Sequence, residues 1–362
     1  MMLDRKRIIF LTNLPAPYRF PIFDKMTEFV DLKVFFILGE RNWRNWPAPT
    51  NRVWQHEFLD LFSIRIKEYE FVPQFKAAKK VLKCADLVIV GSWEIPIYMR
   101  TIYLAKKSGV PIVQIYESIE KSQRFRSGFI ARVRSSLIKK ATFVVTFGAE
   151  STKAVQDMGV PHSSILELFN TVDVSWFHNY SIKNRVPDSD GHKYLYVGQL
   201  IERKNLFNLI DAFNHVHSEN DTLMIVGEGH LKSTLEEYVK TKTLHGKVIF
   251  VGPKNQLDLA AIYSKSNTLV LASENEVWGL VVNEALACGM HVVVSKNSGV
   301  SAFVDGMPGV FLSATDSQSI AKSMTESKSQ WEGFVESPPI MGFTPELFAE
   351  LLMAHIEAYG FK

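Results

Sequence analysis

Residues 273–289 read SENEVWGLVVNEALACG and directly follow the apolar run Thr268–Leu271. That run reads as a strand buried on both faces. Trp278-Gly279-Leu280 then opens a helix, which leaves Glu276 in the loop and puts Glu284 about one and a half turns in. Backbone N–H groups at Gly279 and Leu280, with the positive end of the helix dipole, suit an anion such as a diphosphate. Glu284 would then meet vicinal hydroxyls, and Glu276 a polar group from the loop side. A sugar nucleotide presents those features in a row: ribose diol, diphosphate and sugar hydroxyls. The plainer alternative is a pair of solvated glutamates at a helix border.

The surrounding rhythm fixes the architecture. Upstream, Tyr194–Val197, Thr222–Val226 and Val248–Val251 read as strands, as does His291–Val294 downstream, with helices at 204–216, 231–239, 256–264 and 279–288. In the first half, strand-like runs at 8–14, 32–38, 87–90, 112–116 and 142–146 alternate with helical periods at 94–107 and 128–140. Such alternation predicts βαβ units and doubly wound parallel sheets. Residues 40–72 are aromatic-rich and irregular; Trp43 and Trp46 there suit either stacking on sugar rings or core packing. The polar stretch 180–192, with Pro187 and Gly191, reads as a linker. The expected organisation is therefore an α/β chain of two facing Rossmann-like domains with a cleft between them: residues 1–178, a linker at 179–192, and residues 193–342. A final helix at about 343–362, opened by Thr344-Pro345-Glu346, would pack back toward the first domain. In such sheets ligands sit at the carboxyl ends of strands.

Three strand ends in the second half carry chemistry. Gly198-Gln199 leads into Glu202-Arg203-Lys204, which places two cations at a helix start, where positive charge is unfavourable unless an anion is near. The alternative is cations that face solvent or pair with Glu202. Val226-Gly227-Glu228-Gly229 permits close backbone approach, but Lys232 stands where a dinucleotide fingerprint needs its third glycine. Phe250-Val251-Gly252 ends another strand.

The series YVGQLIERKN (196–205), LMIVGEGHL (223–231), VIFVGP (248–253) and SENEVWGLVVNEALACGMHVVVS (273–295) resembles retaining glycosyltransferases of family 4, with the GT-B fold. The resemblance covers about 100 residues strongly and the first half loosely. It implies that Glu276 orients the donor sugar, that Lys204 and Arg203 neutralise the diphosphate, and that Glu284 holds the ribose hydroxyls. It also implies donor contacts from Gly198, Gln199, Gly227, Gly252, Trp278, Gly279 and Leu280. Relatives often carry arginine at the position of Gln199, so the clamp lacks one charge that Arg203 would supply. A uridine diphosphate sugar is favoured over a guanosine one, with no cofactor and no metal. Front-face displacement, with the diphosphate taking the acceptor proton, is the implied mechanism.

The first half offers cleft candidates. Asn13, Tyr18 and Arg19 follow the first strand, in a Pro-Tyr-Arg resembling a subgroup of bacterial polysaccharide transferases. Glu117 stands near where many relatives place a histidine. Between Lys121 and Lys140, the cations Arg124, Arg126, Arg132 and Arg134 interleave with Phe125 and Phe129. That surface suits anionic lipid head groups or a diphosphate-linked acceptor, or is a solvated helix face. Asp188-Ser189-Asp190 imitates a metal motif of another transferase fold, but it lies in the expected linker with no strand leading into it.

Composition bounds the rest. The 362 residues are 46% hydrophobic and 22% charged, with a net charge of +3, which excludes a globally basic nucleic-acid binder. Two cysteines make no disulfide framework and favour a reducing compartment. No run approaches the roughly 18–20 apolar residues of a membrane span, and the basic start lacks a signal-peptide pattern. The expectation is a cytoplasmic enzyme, peripheral on the inner face of the cytoplasmic membrane, that moves a sugar from a nucleotide sugar to a saccharide or lipid-linked saccharide acceptor. The alternatives are a sugar-nucleotide epimerase of the same fold and a non-catalytic nucleotide-sugar-binding subunit.

Overall fold

The apolar runs become the interiors of two parallel sheets in a computed structural model that describes residues 5–38, 49–59, 64–66, 69–71, 77–123, 125–186 and 191–361. The chain divides into two units: residues 1–169 with 345–362, and residues 170–344.

In the first unit seven parallel strands lie in the order Gln55–Phe58, Asp31–Phe36, Arg7–Thr12, Leu87–Val90, Ile112–Tyr116, Phe143–Phe147 and Ile165–Leu168. The central strands are buried along their whole length because helices cover both faces. Gln55–Phe58 lies within the stretch expected to be irregular. It is an edge strand with three polar residues in a row, Gln55, His56 and Glu57, so it lacks the continuous apolar signal of its neighbours. A short antiparallel pair, Ile64–Ile66 with Tyr69–Phe71, also falls there. Trp43 and Trp46 lie outside the described residues. Helix Pro96–Ser108 starts on proline and stops at Gly109, whose left-handed conformation closes the last turn. Helix Pro345–Ala358 packs on helix Phe20–Met26, with Lys25 3.1 Å from Glu350.

In the second unit six parallel strands run in the order Val248–Gly252, Thr222–Val226, Lys193–Val197, Thr268–Leu271, His291–Ser295 and Val310–Ser313. Counted along the chain this is 3-2-1-4-5-6, the doubly wound order, so the topological switch point lies between the first and fourth strands. Tyr194, Tyr196, Leu209, Phe213, Leu223 and Ile225 form part of its buried core.

The boundary between units falls at residues 169 and 170 and not at the expected linker. Residues 174–184, partly assigned to that linker, form an eleven-residue helix belonging to the second unit. Val174, Phe177 and Ser181, spaced three and four apart, are its buried stripe; the intervening His178 and Asn179, with Lys183 and Asn184 after them, hide that period in the sequence. Asp173 caps it by accepting from the Trp176 N–H at 2.9 Å. Asp188, Ser189 and Asp190 lie outside the described residues. Among the described residues no helix is long and apolar enough to cross a membrane.

Candidate functional site

The two loops at the switch point of the second sheet meet through charge. Strand Lys193–Val197 leads to Gly198-Gln199 and then to a tight turn, Glu202–Lys204. Strand Thr268–Leu271 leads to the loop holding Glu276. The Lys204 ammonium donates a hydrogen bond to the Glu276 carboxylate, and the Arg203 guanidinium lies 3.6 Å from the same oxygen. Lys204 is only 7% exposed. Glu202 does not neutralise these cations, since its carboxylate meets the His230 ring 2.8 Å away.

Backbone geometry explains why the trio is held there. Asn205, in the left-handed region at φ 60°, donates from Nδ2 to the carbonyls of Ala272 (3.1 Å) and Thr315 (2.6 Å). The Glu274 N–H donates to the Arg203 carbonyl at 2.9 Å, and Arg203 Nη1 donates to the Asn275 carbonyl at 3.2 Å. From the other side, the Gly299 N–H donates to the Glu276 carbonyl at 2.9 Å. Each charged side chain thus extends from a loop stitched to the other or to the next strand end.

Helix Leu280–Ala287 begins beside this cluster. Gly279 precedes it at φ 106°, a conformation that favours glycine, and no side chain caps its first amides. A Cβ on Gly279 would stand 2.7 Å from Leu271 Cδ2 and 3.5 Å from Glu276 Cγ, so Glu276 packs against the start of the helix. Cations and helix N-terminus therefore share one neighbourhood, a combination that attracts a polyphosphate.

Glu284 projects from the same helix and accepts from the Tyr263 hydroxyl at 2.7 Å. Burial pushes its carboxyl up to about 7, with the Tyr263 hydrogen bond opposing the rise. Tyr263, fully buried at the end of helix Gln256–Tyr263, carries no motif in the sequence that marks it as Glu284's partner.

Three glycines end adjacent strands in order. The Gly198 N–H donates to the Val226 carbonyl and the Gly227 N–H to the Gly252 carbonyl, both at 3.0 Å. A Cβ on Gly227 would stand 1.9 Å from the Gly198 carbonyl oxygen, so only glycine allows these loops to lie so close. Gln199 is exposed, and its carbonyl accepts from the Tyr196 hydroxyl at 2.8 Å. Trp278 is corrected from ligand contact to packing. It is 3% exposed, its ring lies 5.4 Å from that of Phe303, and its Nε1–H donates to Asn283 Oδ1 at 3.0 Å.

In the first unit Arg19 and Glu117 are brought together as an ion pair, and Arg19 also donates to Thr12 Oγ1 at 3.2 Å. The Arg19 guanidinium stands over the Tyr18 ring at 5.7 Å. Asn13 accepts the Leu38 N–H on its carbonyl at 3.1 Å. These groups gather where the first strand of that sheet ends. The basic stretch divides: Arg126 and Arg132 are exposed, whereas Arg134 is 5% exposed and donates to Gln123 Oε1 at 2.6 Å. Arg134 is therefore corrected from surface cation to buried group, because its place on the helix turns it toward Gln123 and Trp93. Arg124 lies outside the described residues. Among the described residues no three histidine, cysteine or acidic side chains gather as a metal site.

Residues 180–333 match the family model of glycosyl transferases group 1. An uncharacterized glycosyltransferase of Methanocaldococcus jannaschii, MJ1607, is 29% identical over 168 residues, covering 46% of this chain and 43% of that protein. The glycogen synthase of Mycobacterium tuberculosis is 26% identical over 233 residues, covering 62% of this chain and 56% of that protein. The chain thus spans about half the length of the curated relatives it matches. Among solved structures, Anabaena HepE in complex with UDP superposes with a TM-score of 0.75 at 16% identity, covering 98% of this chain and all of that one. The architecture is thus that of GT-B proteins, with two parallel-sheet Rossmann-like units. The matched segment, residues 180–333, holds Lys204, Glu276, Gly279 and Glu284, so the candidate site lies within the part of the chain that resembles glycosyl transferases group 1.

Proposed function

We propose that this protein is a retaining glycosyltransferase of the family 4 type, which moves a sugar from a uridine diphosphate sugar to a hydroxyl of a saccharide acceptor carried on a lipid, in cell-surface glycan synthesis. The observation that carries it is the Lys204–Glu276–Arg203 cluster at the switch point, against the start of the helix that bears Glu284. The donor diphosphate would lie on the two cations and the amides of Gly279 and Leu280. Glu284 would accept from the ribose hydroxyls, with Tyr263 holding its second oxygen. Glu276 would accept from hydroxyls of the donor sugar.

In the reaction the bond from the anomeric carbon to the diphosphate oxygen breaks while the acceptor oxygen bonds to the same face. The acceptor proton passes to the departing diphosphate, so no nucleophile or metal from the protein is needed. Charge grows on the diphosphate as that bond lengthens, and preorganised cations and amides stabilise it more than they stabilise the bound donor. The uridine assignment draws support from HepE, solved with UDP.

The test has two stages. Uridine, guanosine and adenosine diphosphates are compared for thermal stabilisation, which should be largest for uridine diphosphate. Transfer from uridine diphosphate sugars to lipid-linked saccharides is then followed, with the product anomer assigned by nuclear magnetic resonance. An inverted anomer overturns the retaining assignment, and epimerised donor without transfer overturns the transferase reading.

A further inference from the structure

The first unit holds an open basin of about 870 Å3 along helix Gly128–Ile138, on the outside of its sheet. Its cations are Lys106, Arg126, Arg132, Arg134, Lys139 and Lys140, against two acids, Glu120 and Asp157. With a chain-wide balance of only +3, this is a strong local excess. The floor is made of small residues, Gly128, Ala131 and Ser135, which let a ligand approach the backbone. The helix N-terminus opens onto it, and no side chain caps that end. Arg134, deeply buried in the wall, presents an Nε that meets no hydrogen-bond acceptor among the described residues.

Apolar side chains stand beside the basin. Phe129 is 80% exposed and Ile130 38% exposed, both in the first turn of the same helix. Exposed Phe129 next to Arg126 and Arg132 suits neither plain water nor a soluble polyanion. It suits the interface of a bilayer, where an aromatic ring enters the head-group layer and cations meet phosphates. We propose that this helix face is a membrane-docking site, with the phosphates of anionic lipids seated in the basin and Phe129 inserted beside them. The proposal stands on the first unit alone and does not depend on the donor site.

The full-length protein is sedimented with vesicles of phosphatidylcholine alone or mixed with phosphatidylglycerol. Binding should require the anionic lipid and fall as salt rises. Arg126→Glu with Arg132→Glu should weaken it by about tenfold or more, at roughly a factor of five or more for each cation near the surface. Phe129→Ser should also weaken it, while leaving thermal stabilisation by inorganic pyrophosphate unchanged. All three side chains are exposed, so the variants should keep the wild-type circular dichroism. Equal binding to neutral vesicles, or indifference to the charge reversal, overturns the proposal. So does unchanged binding by Phe129→Ser together with full competition by pyrophosphate, which would make the basin a site for a soluble phosphate.

Discussion

At the scale of single residues, two groups in the second unit carry predictions of different kinds. Lys204 is nearly buried against Glu276, and its proposed task grows as charge moves onto the leaving diphosphate. Lys204→Ala should lower kcat about two to three orders of magnitude, the scale of losing one preorganised electrostatic group. Arg203 lies farther from the same carboxylate and is more exposed, so Arg203→Ala should cost less, and Gln199→Arg should recover part of it. Glu284 supplies a pH dependence. Its carboxyl titrates near 7 in the folded protein, so the folded state keeps a proton that the unfolded chain gives up. Its contribution to stability therefore falls as pH rises from the ordinary carboxylate range through about 7. The ribose diol is held by the ionised form, so nucleotide affinity should move the opposite way: about tenfold weaker per pH unit below the midpoint and flat above it. Tyr263→Phe removes the hydrogen bond that opposes the rise and should shift this midpoint upward, whereas Glu284→Gln should abolish the slope. Calorimetric titration of uridine diphosphate from pH 5.5 to 8.5 distinguishes these outcomes.

At the scale of elements, helix Leu280–Ala287 aims its N-terminus at the candidate site and is held from behind. The His178 Nδ1–H donates to the Ala287 carbonyl at 2.9 Å, Ser181 Oγ donates to the Cys288 carbonyl at 2.9 Å, and Arg185 Nη2 reaches the same oxygen at 3.2 Å. The Arg185 cation and two further donors thus satisfy carbonyls at the negative end of the dipole. Arg185→Ala should lower stability by about 1–2 kcal/mol in chemical denaturation, the worth of a charged hydrogen bond with its dipole term. Ser181→Ala should cost about 1 kcal/mol, because Arg185 still serves the carbonyl. Legibility followed the same elements. Leu87–Val90 and Ile112–Tyr116 were readable to the residue because a strand buried on both faces is an unbroken apolar run. The helix behind the site was missed, since only Val174, Phe177 and Ser181 of its eleven residues are buried. Glu276 and Glu284 were visible as a local pattern. The meeting of Glu276 with Lys204, 72 residues away, was not, because it depends on strand order and no local period encodes that order. Trp278 misled in the opposite sense: beside a ligand-like loop its ring turns inward, and sequence spacing does not report which way a loop aromatic points.

At the scale of the whole molecule, the chain leaves its first unit after Phe169, builds the second, and returns at Pro345 to finish the first. The last helix completes the first unit's core. Phe348, Leu352, Met353 and Ile356 are buried on it, and Phe348 packs on Phe147 and Phe169 at ring distances of 6.0 and 6.1 Å. His355 and Tyr359 meet Phe143 at 4.7 and 5.1 Å. Burial of each large apolar side chain is worth about 1.5–3 kcal/mol as an upper figure. The set is then comparable with the roughly 5–15 kcal/mol that holds a typical domain folded. Removing residues 345–362 should therefore unfold the first unit, although the cut lies far along the chain from its strands. The second unit keeps all six of its strands and its ion cluster in such a truncation. Limited proteolysis should then cleave within residues 5–169 and spare 170–344, while uridine diphosphate still protects the surviving fragment. Cleavage spread equally over both units would mean that the two fold as one cooperative block, and protection of both would mean that the last helix only decorates a core already complete.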